Sequence, residues 1–435
     1  MAKTEKTGPR IVVVGAGIVG ACCAAYLRRE GYDVTIIEAE APAAGASQGN
    51  AGALSPGSCI PLSMPGTLKE VPRWITDPDG PLVVRPSYAL QAMPWLLRFV
   101  AAGRPSRIDA IADALHALHH PVYDSYRPLL QASGAGNLIC QSGQIVLYRK
   151  RSSLESGMTG WQMRKDRGNP FEVLDQKAVH DLVPALAPEF ECAVYQPRHG
   201  YVVDPQALVM KLVEHFQATG GRLVVGRVGR LSRAGSGVSM VLDDGGTVEA
   251  DRVVIAAGAH SKSLLSGIGL RIPLESQRGY HLQLSDPGID LPLPISFNDG
   301  KFYATPMAGG VRLAGTVEFA RPTAPPDFAR ARRLGTIAQN WFLGLKLDGA
   351  REWMGRRPCM PDSLPMIGQL PGDPSILLAF GHGHNGMTSA PTTGRVIADL
   401  IAGRRPFIDL APYRPDRFQA FNLGAGEKQW EWRST

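Results

Sequence analysis

Apolar residues along this chain fall in short runs broken by glycine clusters. Ile11-Val12-Val13-Val14 is the first run. Gly15-Ala16-Gly17-Ile18-Val19-Gly20 follows, then an alanine- and leucine-rich stretch to Gly31. A second run, Val34-Thr35-Ile36-Ile37, ends on Glu38. Continuous runs this short predict strands buried on both faces, and the stretch between them predicts a helix. The same signals recur downstream. Leu208, Leu212, Val213 and Phe216 share one face of a predicted helix over Pro205 to Gly220. A strand is predicted at Arg222 to Val225, with Val228 just beyond it. Val238 to Leu242 and Thr247 to Glu249 predict a hairpin around Asp243-Asp244-Gly245-Gly246. Val253 to Ala256 predicts a buried strand running into Ala257 and Gly258. Arg278 to Leu284, Lys301 to Pro306 and Val311 to Val317 read as an antiparallel sheet. Ile376 to Ala379 predicts another buried strand. A glycine turn over Gly381 to Gly386 and a helix from Met387 to Ala402 follow it.

The fold class is therefore α/β, or α+β overall. A Rossmann-like nucleotide-binding domain is interleaved in sequence with an antiparallel-sheet substrate domain. The predicted pieces are 1–86, 200–275 and 353–435 for the nucleotide domain. Those for the substrate domain are 87–199, with a helical insertion, and 276–352.

The first glycine turn carries dinucleotide chemistry. Gly15 permits the tight turn, Gly17 lets the backbone approach a pyrophosphate, and Gly20 lets helix and strand pack closely. The helix N-terminus, with Ile18 and Val19, offers free N–H groups and partial positive charge to phosphates. Glu38, followed by Ala39, stands where an acid takes ribose hydroxyls and disfavours a 2′-phosphate.

Composition changes little in this picture. The 435 residues are 44% hydrophobic and 20% charged, as in ordinary soluble proteins. No run reaches the length of a membrane span. The polar Met1 to Arg10 segment makes a poor signal peptide, so a cytoplasmic location is expected, with the inner face of a membrane as the alternative. Six cysteines lack metal-type spacing and are expected as free thiols; no metal is expected. The net charge of +7 forms no basic tail, and nothing suggests nucleic-acid binding. Arg330, Arg332 and Arg333 are the tightest basic cluster, placed on a helix. Ser87 to Val100 predicts an apolar helix that Pro94 starts or kinks. It is read as buried or channel-covering, with a membrane-surface helix as the alternative.

Four segments together resemble the D-amino-acid oxidase/dehydrogenase superfamily of FAD enzymes, with its dehydrogenase and glycine oxidase branches. They are the glycine turn above, Gly45-Ala46-Ser47-Gln48-Gly49-Asn50-Ala51-Gly52-Ala53-Leu54, Val254-Ile255-Ala256-Ala257-Gly258, and a C-terminal pair. That pair is Arg357-Pro358-Cys359-Met360-Pro361-Asp362-Ser363-Leu364-Pro365-Met366-Ile367-Gly368 with Gly381-His382-Gly383-His384-Asn385-Gly386. The resemblance covers Ile11 to about Phe418 and implies a glutathione-reductase-like FAD fold of the D-amino-acid oxidase type.

It implies FAD rather than NAD. Ser47, Gln48, Asn50, Ala51, Gly52 and Leu54 would follow the cofactor toward its ring. Val228 would contact adenine through its backbone. Ala257, Gly258, Gly383, His384, Asn385, Gly386 and Met387 would complete the cofactor site. Arg357 matches an arginine that binds the substrate carboxylate in relatives, a task suited to its bidentate fork; the alternative is a structural salt bridge. Arg356 is expected to point the other way. Tyr303 matches a tyrosine on the same carboxylate. His384 replaces an arginine of some relatives, and a histidine there is expected to titrate near neutrality. Arg278, Tyr280 and His281 share a predicted strand, with Tyr280 expected to face away from the other two. Cys359 stands too close to Pro361-Asp362 for the flavin-linked cysteine of sarcosine-oxidase relatives, so FAD is expected to be non-covalent.

The implied reaction is oxidative deamination of a D-amino acid by hydride transfer from Cα to flavin N5. The imine hydrolyses to a 2-oxo acid, and electrons pass to a quinone, another carrier or oxygen. The alternatives are oxidation of glycine, sarcosine, proline-like or other secondary amines, and a flavin-bearing relay subunit of a larger complex. Self-association and peripheral membrane contact complete the expected partners.

Overall fold

The computed structural model describes residues 8–65, 69, 80 and 82–421. The polar segment before Gly8, most of the Pro56 to Pro72 loop beyond Pro65, and the tail after Phe421 lie outside the described residues.

The β-branched runs build a six-stranded sheet. Its order is Arg222–Val225, Asp33–Glu38, Arg10–Val14, Arg252–Ile255, Asp373–Phe380 and Met366–Leu370. All neighbours are parallel except the last pair. Parallel strands covered on both faces must be apolar throughout, and Ile11 to Val14 and Val253 to Ile255 are all buried. Helices Ile18–Arg29, Pro205–Ala218 and Gly386–Ile401 cover one face. Close packing depends on Gly20, where a Cβ would sit 1.9 Å from the Gly15 carbonyl oxygen. Gly15 itself has φ +108°, a conformation that favours glycine.

The predicted hairpin is present as part of a three-stranded sheet that begins at Val228. A nine-stranded, mostly antiparallel sheet forms the second layer. Its central strands are Arg351–Cys359, Glu275–Leu284, Gly310–Phe319, Phe302–Met307, Ile295–Phe297, Gln144–Tyr148 and Cys192–Gln196, in that order. The helix Ala329–Trp341 backs this sheet, with Leu334 and Ala338 in its core. On that helix Arg330 pairs with Asp327 and Arg332 with Glu352.

Two expectations are corrected. Tyr280 does not face away from Arg278. Residues two apart on a strand share a face, and both side chains meet Glu318, the tyrosine hydroxyl at 2.6 Å and the guanidinium at 3.6 Å. His281 lies on the opposite face, against the Gly49 carbonyl. The apolar helix, observed as Ala89–Ala102, is not buried all round. Ala92 and Trp95 pack inward, whereas Leu90 is 87% exposed and Leu97 64%. Leu90, Met93, Leu97 and Val100 fall on one stripe, so the helical period places them on the outer face together. Among the described residues no helix is long and apolar enough to cross a membrane, and all six cysteines are free.

Candidate active site

The C-terminal ends of the parallel strands open into a cleft of about 640 Å³, within the range of cofactor pockets. Gly15, Gly17, Ile18 and Val19 line it from the first turn, and Glu38 and Ala39 from the second strand. Ser47 and Asn50 line it from the following loop, Val228 from the hairpin, and Ala257 and Gly258 from the fourth strand in the sheet order. Gly383, Gly386 and Met387 close it at the second glycine turn.

Two helices aim their N-termini here. The helix Ile18–Arg29 has no side-chain cap from Gly17, and the helix Gly386–Ile401 has none from Asn385. The N–H groups that follow Ile18 in the first helix, and those that open the second, are suited to an anion. The Ser47 hydroxyl accepts from the Ile18 N–H at 2.9 Å and keeps its own proton to donate. Glu38 accepts from the Ala16 N–H at 2.6 Å, which holds its carboxylate beside the turn. The volume, the two helix N-termini, the Ser47 hydroxyl and the fixed acid fit an extended dinucleotide.

The other proposed cofactor residues take different places. Gly20 lies behind the turn as a packing residue. Gln48, Ala51, Gly52 and Leu54 run between the cleft and the antiparallel sheet; Leu54 is fully buried. Asn385 stands just before the last helix, and its side-chain oxygen accepts from the Ser58 hydroxyl at 3.4 Å. Glu40, Arg227, His260 and Trp353 also line the cleft and carry no distinctive sequence signal. Arg356 lines it too, while bonding the Pro322 carbonyl.

The residues expected on the substrate side share one face of the antiparallel sheet. Tyr303, Ala314, His281 and Trp353 face one another in a row across four strands. Trp353 stacks on His281 at 4.9 Å and lies flat on Gly49, where a Cβ would come within 2.2 Å of its ring. Arg357, four residues on from Trp353, shares this face. Its guanidinium reaches across the neighbouring strand, over Gly279, and donates to the carbonyls of Thr316 at 2.8 Å and Gly315 at 3.3 Å. No carboxylate among the described residues pairs with it, so the salt-bridge alternative has no partner here. Thr316 has φ +58°, and its buried hydroxyl has no hydrogen-bond partner.

His384 stands close enough to Arg357 to feel its charge. Its side chain is exposed. Desolvation first, then Arg357, push its pKa down to about 3. Both effects run against the expectation that it titrates near neutrality and favour the neutral imidazole. Arg312, missed in the sequence, is held by desolvation at about 10 and donates to the Gln48 and Asn50 carbonyls. It fastens the loop after Ser47 to the sheet. Cys359 is buried, and desolvation raises its thiol to about 12. Among the described residues no cluster of His, Cys, Asp or Glu is placed to hold a metal ion.

The family model described as "DAO: FAD dependent oxidoreductase" matches residues 10–400. The chain belongs to this family. It is 36% identical over 418 residues to a D-amino-acid oxidase of Bradyrhizobium diazoefficiens, covering 94% of this chain and 99% of the relative. It is 29% identical to a D-amino acid dehydrogenase of Allorhizobium ampelinum, covering 95% and 100%. Its fold is similar to that of glycine oxidase from Geobacillus kaustophilus, with a TM-score of 0.72 at 22% identity over 94% of this chain and 99% of that one. This chain is thus an FAD-dependent oxidoreductase.

Proposed function

We propose that this enzyme oxidises the Cα–N bond of a D-amino acid, with FAD held non-covalently. The observation that supports this reading is Arg357: a half-buried arginine without a carboxylate partner among the described residues, on the sheet face it shares with Trp353 and close to His384. A carboxylate with its bidentate acceptor geometry is the natural occupant. The relative at 36% identity, a D-amino-acid oxidase, supports the same substrate class.

Gly15, Gly17, Glu38 and Ser47 would hold the dinucleotide portion of FAD. FAD, when bound, supplies acceptance of a hydride and passage of two electrons to an acceptor. The chain supplies position and charge. Arg357 binds the substrate carboxylate, and Tyr303, in the same row across the sheet as Trp353, would offer its hydroxyl to it. This fixes Cα and its hydrogen toward the cofactor cleft. His384 stays neutral, so it neither repels the carboxylate nor adds a second cation. The substrate amine must be neutral to donate its lone pair as the Cα–H bond breaks. The resulting C=N bond takes up water and releases ammonia, leaving a 2-oxo acid. An unpaired anchoring arginine also favours a catalytic over a relay role.

Anaerobic titration with paired D- and L-amino acids, glycine and sarcosine tests this reading. D-amino acids are expected to bleach the flavin fastest. Bleaching by L-isomers or by secondary amines alone would overturn it. Acid precipitation should leave the yellow colour in the supernatant; colour retained on the polypeptide would disprove non-covalent binding. A quinone and oxygen, compared as re-oxidants of the bleached protein, identify the acceptor.

A further inference from the structure

A second arginine lies on the same face of the antiparallel sheet. The row containing Tyr303 continues through Ser296 and Val146 to Val194. Trp161 of the helix Met158–Asp166 packs on that end, in a cluster with Val146 and Val194. Arg164 is three residues on from Trp161, on the same side of the helix.

The Arg164 guanidinium sits over the Trp161 ring, 4.6 Å from its centroid. Its Nη1 donates to the Gly160 carbonyl at 3.0 Å. A guanidinium carries five N–H donors; no other hydrogen-bond partner is found for this one among the described residues. Its neighbour Arg167 is held by Asp109 and Asp113. Arg164 has no such carboxylate, yet it lies near Tyr303, Cys59 and Tyr148 and lowers the basicity of His199. Arg164 is thus a half-buried cation with one backbone partner and no carboxylate beside it, open to an anion. In the sheet order Tyr303 lies between the strand of Arg357 and the strands under Trp161.

We propose that Arg164 anchors a second anionic group of the substrate, so that the preferred substrates are amino acids with a side-chain carboxylate. This rests on Arg357 as the anchor of the α-carboxylate. One arginine then fixes the reacting end, and the other selects the far end.

The test compares D-glutamate, D-glutamine and D-norvaline on the holoenzyme, together with D-aspartate and D-asparagine. Each acid is expected to exceed its amide in kcat/KM by about 10-fold or more, the size of one charge-assisted contact. Arg164→Met should bring that ratio close to 1, mainly through KM, and leave D-norvaline little changed. Arg164→Lys should retain part of the preference. A readout without turnover uses glutarate and butyrate as dead-end ligands. Glutarate should perturb the flavin spectrum at lower concentration than butyrate in the wild type, and not in Arg164→Met. An amide or neutral preference in the wild type overturns the proposal. So does an acid-to-amide ratio unchanged by Arg164→Met. If Arg164→Met does not fold, the wild-type ratio and Arg164→Lys decide. If no amino acid bleaches the flavin while glutarate binding still depends on Arg164, the amino-acid reading fails and the anion site stands.

Discussion

The Arg357 guanidinium lies over Gly279, on the adjacent strand, so closely that a Cβ there would sit 2.0 Å from Cζ. The missing side chain is what lets Arg357 reach across to the Gly315 and Thr316 carbonyls. On the proposed role of Arg357, Gly279 is a positioning residue for carboxylate binding. Gly279→Ala should push the guanidinium off these carbonyls and lower kcat/KM by roughly 10- to 100-fold, about 1.4–2.8 kcal/mol. The loss should fall mainly on KM, with FAD content unchanged. Unaltered KM in a flavin-replete Gly279→Ala protein would show that Arg357 has another route to the substrate.

Much of the cofactor cleft was legible along the chain, because its parts are local. Gly15, Gly17 and Gly20 are close in sequence, and the β-branched runs beside them can only be buried strands. Glu38 follows at the distance that one helix and one strand impose. Relationships made by sheet register were not legible. Gly279 and Arg357 meet only because their strands pair antiparallel. Arg312 reaches the loop at Asn50 from 262 residues away. The exposure of the Ala89–Ala102 helix depends on what packs beside it, which a run of apolar residues does not report.

The neutral His384 has a kinetic consequence. Its pKa of about 3 leaves it uncharged throughout ordinary assay conditions. The pH dependence of kcat/KM should then come from the substrate amine, with no limb from this imidazole. His384→Gln, which is also neutral, should keep the shape of the wild-type profile between pH 5.5 and 9, about a unit or more outside His384's range. Loss of an acidic limb in that variant would show that the imidazole is protonated in the working enzyme.

Glu318 gathers three partners, two of them buried, on one buried carboxylate. Arg85 Nε lies at 2.6 Å, the Tyr280 hydroxyl at 2.6 Å and Arg278 Nη1 at 3.6 Å. Arg278 and Glu318 are each 1% exposed. Glu318→Gln keeps the volume but leaves the Arg278 charge without its counter-ion. Removing one partner of a buried pair costs about 3–5 kcal/mol. The urea midpoint should fall accordingly, while FAD affinity in the surviving folded protein stays close to wild type. A midpoint unchanged by Glu318→Gln would mean that the carbonyls of Arg321, Ala324 and Pro325 suffice to hold Arg278.

Four buried histidines bear on the acid stability. His119, His199, His281 and His382 are each at most 6% exposed. Desolvation is the main cause that pushes His119 down to about 4 and the other three to about 3, from 6.5. In the unfolded chain they regain a pKa near 6.5 and bind protons that the folded chain refuses. Their stabilising effect is fully present above the unfolded pKa and is lost as pH falls from about 6.5 toward 4. Each contributes at most about 1.4 kcal/mol per pH unit in that window. With saturating FAD, the urea midpoint should therefore be flat from pH 7 to 8 and drop steeply from 6.5 to 5, with proton uptake on unfolding. His119→Gln preserves a donor for the Ser58 carbonyl that His119 Nδ1 now meets, and should make the drop shallower. A midpoint equal at pH 5.5 and 7.5 would show that these imidazoles gain protons without unfolding the chain.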